Sequence, residues 1–217
     1  MTNALLAVFL VALILVGSEY LWRKKIIKGE NARKLIHILV GCFVAVMPFW
    51  IGYGWIIVFA LGAIVLSLIN HQHQFFKAGL SVGRRSYGDL ILAVAILVCA
   101  ALQPNQWIFM AAILHVSLAD GLAAVIGTPF LKQKGLVYKI LGHKKTIVGT
   151  AIFVLVSFLL LAMTVQFSGV YDGFSTVWPV LIGLPLLAAF AESIGVYGSD
   201  NILVPIVVMA VLLAARP

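Results

Sequence analysis

Seven carboxylates occur among 217 residues, and five of them, Glu19, Asp89, Asp120, Glu192 and Asp200, fall within or at the ends of long apolar runs. A carboxylate in hydrocarbon costs at least roughly 2.5–3.5 kcal/mol, so each needs a partner or a task. Asp120 opens the segment Asp120-Gly121-Leu122-Ala123-Ala124-Val125-Ile126-Gly127. Spacings of three, four and seven put Asp120, Ala123 or Ala124, and Gly127 on one helical stripe, whose small residues admit a second helix or a ligand. The segment Gly142-His143-Lys144-Lys145-Thr146-Ile147-Val148-Gly149 offers two ammonium groups, a hydroxyl and accessible backbone N–H groups at a helix start. Those are the donors a polyphosphate requires, although lysines at a helix end also serve simply to set topology. In Arg33-Lys34-Leu35-Ile36-His37, the two cations lie four and three residues before an imidazole and share its helix face, where the ring can take or give a proton. Glu192, Asp200 and Asn201 are hard oxygen ligands suited to Mg²⁺, and Asp200-Asn201 would equally suit a helix cap. Acids for a divalent metal, cations for phosphates and an apolar body together describe phosphoryl or nucleotidyl transfer to a membrane lipid.

The elements that must hold these groups are membrane helices. The chain is 63% hydrophobic and 10% charged, which excludes a water-soluble globule. Apolar runs predict an all-α polytopic bundle, one transmembrane catalytic domain over 1–217, with spans near 3–21, 35–49, 51–69, 88–102, 106–127, 146–166, 177–195 and 200–215. The count is about eight, with seven as the alternative. Fourteen of the 15 basic residues lie in 22–34, 71–87 and 128–145, on one side of an eight-span arrangement. By the positive-inside rule that side is cytoplasmic and both termini are outside. Trp50, Tyr53, Trp55, Trp107 and Trp178 form an aromatic belt opposite. Pro179, Pro185 and Pro205 are expected to kink or break the last two helices and leave a polar cavity beside them. Cys42 and Cys99 read as core thiols and His115 as a hydrogen-bonded bundle residue. The N-terminal run, with its basic cluster after it, reads as an uncleaved anchor. A single unit without a targeting segment points to a prokaryotic cell membrane, with the site facing the cytoplasm. Nothing points to nucleic acid as a partner, and a homodimer is left open.

Arg33-Lys34-x-x-His37, the string Arg84-Arg85-Ser86-Tyr87-Gly88-Asp89, the Asp120–Gly127 stripe, Lys144-Lys145-Thr146-x-x-Gly149 and Asp200-Asn201-x-x-x-Pro205 occur in that order over roughly residues 19–205. In this the chain resembles the polyprenol kinase family, which includes dolichol, phytol and farnesol kinases and a CTP-dependent diacylglycerol kinase. It is distantly similar to phosphatidate cytidylyltransferase. The resemblance implies transfer of the γ-phosphate of CTP to a long-chain isoprenoid alcohol with Mg²⁺. It further implies that Asp120 and the Asp200/Asn201 pair, with Glu192 nearby, hold the metal–nucleotide. Lys144, Lys145, Thr146, Gly149, Arg85, Ser86 and Gly127 would bind the nucleotide, and Arg33, Lys34, His37 and Asp120 would act at the reacting phosphate. The alternatives are CDP-diacylglycerol synthesis or diacylglycerol phosphorylation on the same framework, and a membrane transporter. The paired-aspartate signature of the cytidylyltransferases is not found, and acids gathered at one face do not line a path across.

Overall fold

The computed structural model describes residues 1–79 and 87–216, with the backbone alone at 174–176. Eight helical passes follow the eight apolar runs. They are α1 (Thr2–Arg23), α2 (Gly29–Val46), α3 (Tyr53–His73), α4 (Gly88–Ala101), a broken pass of α5 (Gln106–Leu114) and α6 (Asp120–Gly127), α7 (Ile147–Phe167), α8 (Phe174–Ile194) and α9 (Asp200–Ala214). Six passes are long and apolar enough to cross a bilayer; α4 and α9 are shorter. At 1.5 Å per residue these two are roughly 21–23 Å long, against about 30 Å of hydrocarbon.

The α5–α6 pass is the axis of the bundle, 72% buried over its apolar window, whereas α1 and α3 are 22% and 17% buried and turn most of their surface outward. Around it α2 packs on α5 and α6, α7 on α6 and α8, α9 on α8, α5 and α4, and α3 on α4. Lipid tails are as apolar as leucine, so helix association here depends on close approach of small residues. A Cβ on Gly121 would stand 2.3 Å from Ile38 Cγ1, and one on Gly127 2.9 Å from Gly149 Cα. These glycines set the α2–α6 and α6–α7 contacts.

The two ends of the bundle differ. At one, the Ala78 N–H donates to Glu19 Oε2 (3.0 Å) and Asn201 Nδ2 donates to the Gly88 carbonyl (2.7 Å). At the other, Tyr53 donates to the Pro104 carbonyl (2.8 Å), Tyr171 to the Leu212 carbonyl (2.7 Å), and Trp107 stacks on Phe167. The described members of the basic cluster lie at the first end, and Trp50, Tyr53 and Trp107 at the second.

α2 begins at Gly29, earlier than the predicted span, so Arg33 and Lys34 share a helix with His37 as their spacing implies, with Glu30 favouring the first turn. Two local features depart from the expectations. α8 and α9 continue as single helices through Pro179, Pro185 and Pro205, so none of the three prolines breaks them. The interruption falls instead in the central pass, where His115–Ala119 forms a π-turn. Finally, the loop before α7 contains an antiparallel hairpin, β1 (Val137–Ile140) and β2 (His143–Thr146), so the all-α bundle carries a small two-stranded appendage.

Candidate active site

The charged end holds a cavity of about 430 Å³ into which α2, α6, β2, the start of α7, the end of α8 and the start of α9 all project. Four cations line it, Arg33, Lys34, Lys144 and Lys145, and four acids, Glu30, Asp120, Glu192 and Asp200. Three internal pairs form. Arg33 bonds Glu30 one turn back on α2, with Nε 3.3 Å from Oε2. Lys34 bonds Asp120 across 86 residues, and both side chains are almost fully buried. Lys145 bonds the Glu192 carboxylate and also donates to the Glu192 carbonyl (3.3 Å). Burial lowers the pKa of the Lys145 ammonium, but Glu192 beside it, with Asp120 and Asp200 further off, outweighs burial and raises it above the ordinary lysine value.

Lys144 and Asp200 have no ion pair or hydrogen-bond partner among the described residues. Lys144 faces Lys139 across the hairpin, which rules out an acid in that register position. Asp200 opens α9 and lies within electrostatic range of Asp120, Lys34, Lys145 and Arg33. Among the described residues the cavity therefore offers one cation and one carboxylate without a protein partner, on a scaffold of pairs that satisfy each other.

Local backbone explains the placement. Thr146 caps α7, its hydroxyl accepting from the Gly149 N–H (3.1 Å), so that amide serves the cap. Gly127 and Gly149 line the cavity, yet the space their side chains would fill is taken by Thr146 Oγ1 and by each other. Of the two partners the small-residue stripe admits, the one present is a helix. The α8–α9 loop turns through Tyr197 and Gly198, both at positive φ; a Cβ on Gly195 would strike Asp200 and one on Gly198 would strike Gly88.

Asp120, Asp200, Glu192, Arg33, Lys34, Lys144, Lys145, Thr146, Gly127 and Gly149 thus share one cavity. His37 and Asn201 are placed outside its lining. The His37 ring donates from Nε2 to the Val116 carbonyl (3.0 Å), one turn below Lys34. Asn201 ties α9 to α4 by donating from Nδ2 to the Gly88 carbonyl, while its buried Oδ1 has no hydrogen-bond partner among the described residues. Arg85 and Ser86 lie outside the described residues. Sequence reasoning missed Glu30, His143 and Tyr197 at the cavity, the last two as an edge-to-face pair with ring centres 6.1 Å apart. The Gly195-x-x-Gly198 spacing in a short loop was the available signal for Tyr197. Glu19 is a structural acid, held by Arg23 and the Ala78 amide. Asp89 accepts from Ser67 (2.7 Å) and bonds His71 (3.1 Å), a contact absent from the interfacial reading of that histidine.

Among the described residues no three of His, Cys, Asp and Glu gather as a ready-made metal cage. Mg²⁺ ordinarily enters such sites on substrate phosphates, held by only one or two carboxylates and keeping several waters. An unpartnered Asp200 beside Asp120 fits that mode of binding. The cavity can therefore accept an anionic, metal-carrying ligand while the bundle around it faces lipid.

Compared with known proteins, the chain is 35% identical over 187 residues to the phytol kinase of Synechocystis sp., which covers 82% of this chain and 76% of that protein. No family profile matches it, and no solved structure does.

Proposed function

The chain belongs to the phytol kinase family, and on that footing we propose that it moves the γ-phosphate of CTP to a membrane isoprenoid alcohol. The reaction would use Mg²⁺, at the cytoplasmic face of a prokaryotic cell membrane. One observation supports this above the others: acids and cations from five chain segments, as far apart as Glu30 and Asp200, meet in a single cavity at the basic end of a lipid-facing bundle.

The residues divide the work. Lys144, free of an acid, and Lys145, kept cationic by its surroundings, take the triphosphate. Asp200 and Asp120 are the carboxylates that would hold Mg²⁺, which when bound neutralises phosphate charge and orients the reacting group. Arg33 and Lys34 face the transferred phosphate. Phosphoryl transfer relies on positioning and charge stabilisation more than on covalent chemistry, and this inventory suits it. The alcohol oxygen bonds to the γ-phosphorus, the bond from that phosphorus to the bridging oxygen breaks, CDP leaves, and the hydroxyl proton passes to a pocket carboxylate.

The test is transfer from labelled CTP in proteoliposomes, against prenols, diacylglycerol and phosphatidate. Label from the γ position should appear in prenol. Label from the α position appearing in lipid would replace the kinase by a cytidylyltransferase, and transfer from ATP as fast as from CTP would remove the donor assignment.

A further inference from the structure

A second cavity, of about 660 Å³, opens sideways between α7 and α8, away from the charged pocket. Val154, Phe158, Leu181 and Pro185 form its walls, and no charged residue lines it among the described residues. Its polar end is made of hydroxyls. Tyr138 from β1 bonds Thr150 of α7 (2.6 Å) and Ser193 of α8 (3.1 Å), and the Ser193 hydroxyl stands 3.5 Å from Glu192 Oε2. Thr150 lines both cavities.

We propose that this groove holds the hydrocarbon chain of the acceptor alcohol, with its hydroxyl at the Tyr138–Thr150 rim, facing the phosphate pocket. The inference rests on the lipid kinase reading given above. Three observations select an alcohol. The groove runs from Ile147, at the charged end of α7, to Phe158 near its middle, so it covers the half of the bundle level with one leaflet. Hydroxyl groups both donate and accept, so the rim can exchange a bond within its own network for one to a ligand hydroxyl. A phosphodiester headgroup would find no cation there among the described residues. Because a chain in the groove leaves surroundings equally apolar, the groove gains little from burial; it acts by orienting the hydroxyl. The stretch from Thr150 to Phe158 is roughly 12 Å long, so its far half can touch only long acceptors.

Two measurements test this. Val154→Trp and the lipid-facing Leu155→Trp should each lower kcat/KM for a twenty-carbon prenol by roughly tenfold, about 1.4 kcal/mol, while leaving a five-carbon prenol and CTP affinity unchanged. In the unaltered protein in nanodiscs, a twenty-carbon alcohol with a diazirine near its tail should label peptides 147–158 and 181–186, and excess unlabelled alcohol should displace it. Labelling elsewhere, or equal labelling by a diazirine phosphatidylcholine that the alcohol does not displace, overturns the groove. Equal losses for both prenols in the tryptophan variants overturn it as well. If the unaltered protein phosphorylates no prenol, the lipid kinase reading falls and the groove with it; transfer that proceeds with the groove unlabelled removes the groove alone.

Discussion

The charged cavity has two unlike sides. On the α2–α6 side, Lys34 and Asp120 close on each other, and both side chains are nearly inaccessible. On the hairpin–α9 side, Lys144 and Asp200 stand without partners among the described residues. Both sides use the same residue types. They differ in whether a charge facing the ligand also holds two helices together or serves the ligand alone, and mutation can separate these roles.

The largest effect is expected on the closed side. Lys34→Met leaves the Asp120 carboxylate buried without a cation, and breaking a buried pair costs about 3–5 kcal/mol. The unfolding midpoint of the detergent-solubilised variant should fall steeply, and transfer should vanish. Lys34→Met combined with Asp120→Leu should recover most of the stability and none of the activity. If the double variant is as unstable as the single one, the pair is not what holds α2 to α6.

On the open side the order reverses, with activity affected and stability spared. Asp200→Asn should lower kcat by roughly 10- to 100-fold, in line with losing one interaction to a charged group, while stability changes by less than about 1 kcal/mol. A loss of stability matching that of Lys34→Met would mean that Asp200 belongs to the scaffold. Lys144→Ala is expected to raise the KM for nucleotide by roughly tenfold, with a weaker salt dependence and an unchanged melting temperature. The smallest effect concerns pH. The Lys145 pKa is raised, so its charge is present below that raised value and is lost only above it; nucleotide affinity measured by calorimetry should therefore hold steady from pH 7 to pH 9. A marked weakening over that interval would show that Glu192 does not hold the proton on Lys145.

Much of this organisation can be read from the sequence, because hydropathy and basic residues act over whole segments. Eight apolar runs became eight passes, and the three basic stretches assign the charged end without any contact being known. The motifs at Asp120, Lys144–Lys145 and Asp200 point to one cavity because charge in an apolar chain has few places to go. What remained hidden depends on pairing and on backbone detail. Nothing in the residues around Lys34 names Asp120, 86 positions away, as its partner. The hairpin has strands of only four residues, one of them His-Lys-Lys-Thr, and shows no apolar alternation to betray it. Proline content misled as to breaks, since a membrane helix can run on through a proline, as α8 and α9 do. Asn201 has the chemistry of a ligand; only the position of Gly88 shows that its Nδ2 is used to clamp α9 to α4.

The π-turn at His115–Ala119 changes how this chain should respond to losing a residue. Within an ordinary helix a one-residue deletion swings everything downstream by about 100° and wrecks the packing of both halves. Here one residue is already surplus to the α-helical count, so its removal lets the backbone relax into a regular helix. Because the surplus residue is the one removed, α6 keeps its phase and Asp120 stays in register with Lys34. The turn is thus the one place in the central pass where the chain can shorten without turning its carboxylate away from the cation that holds it.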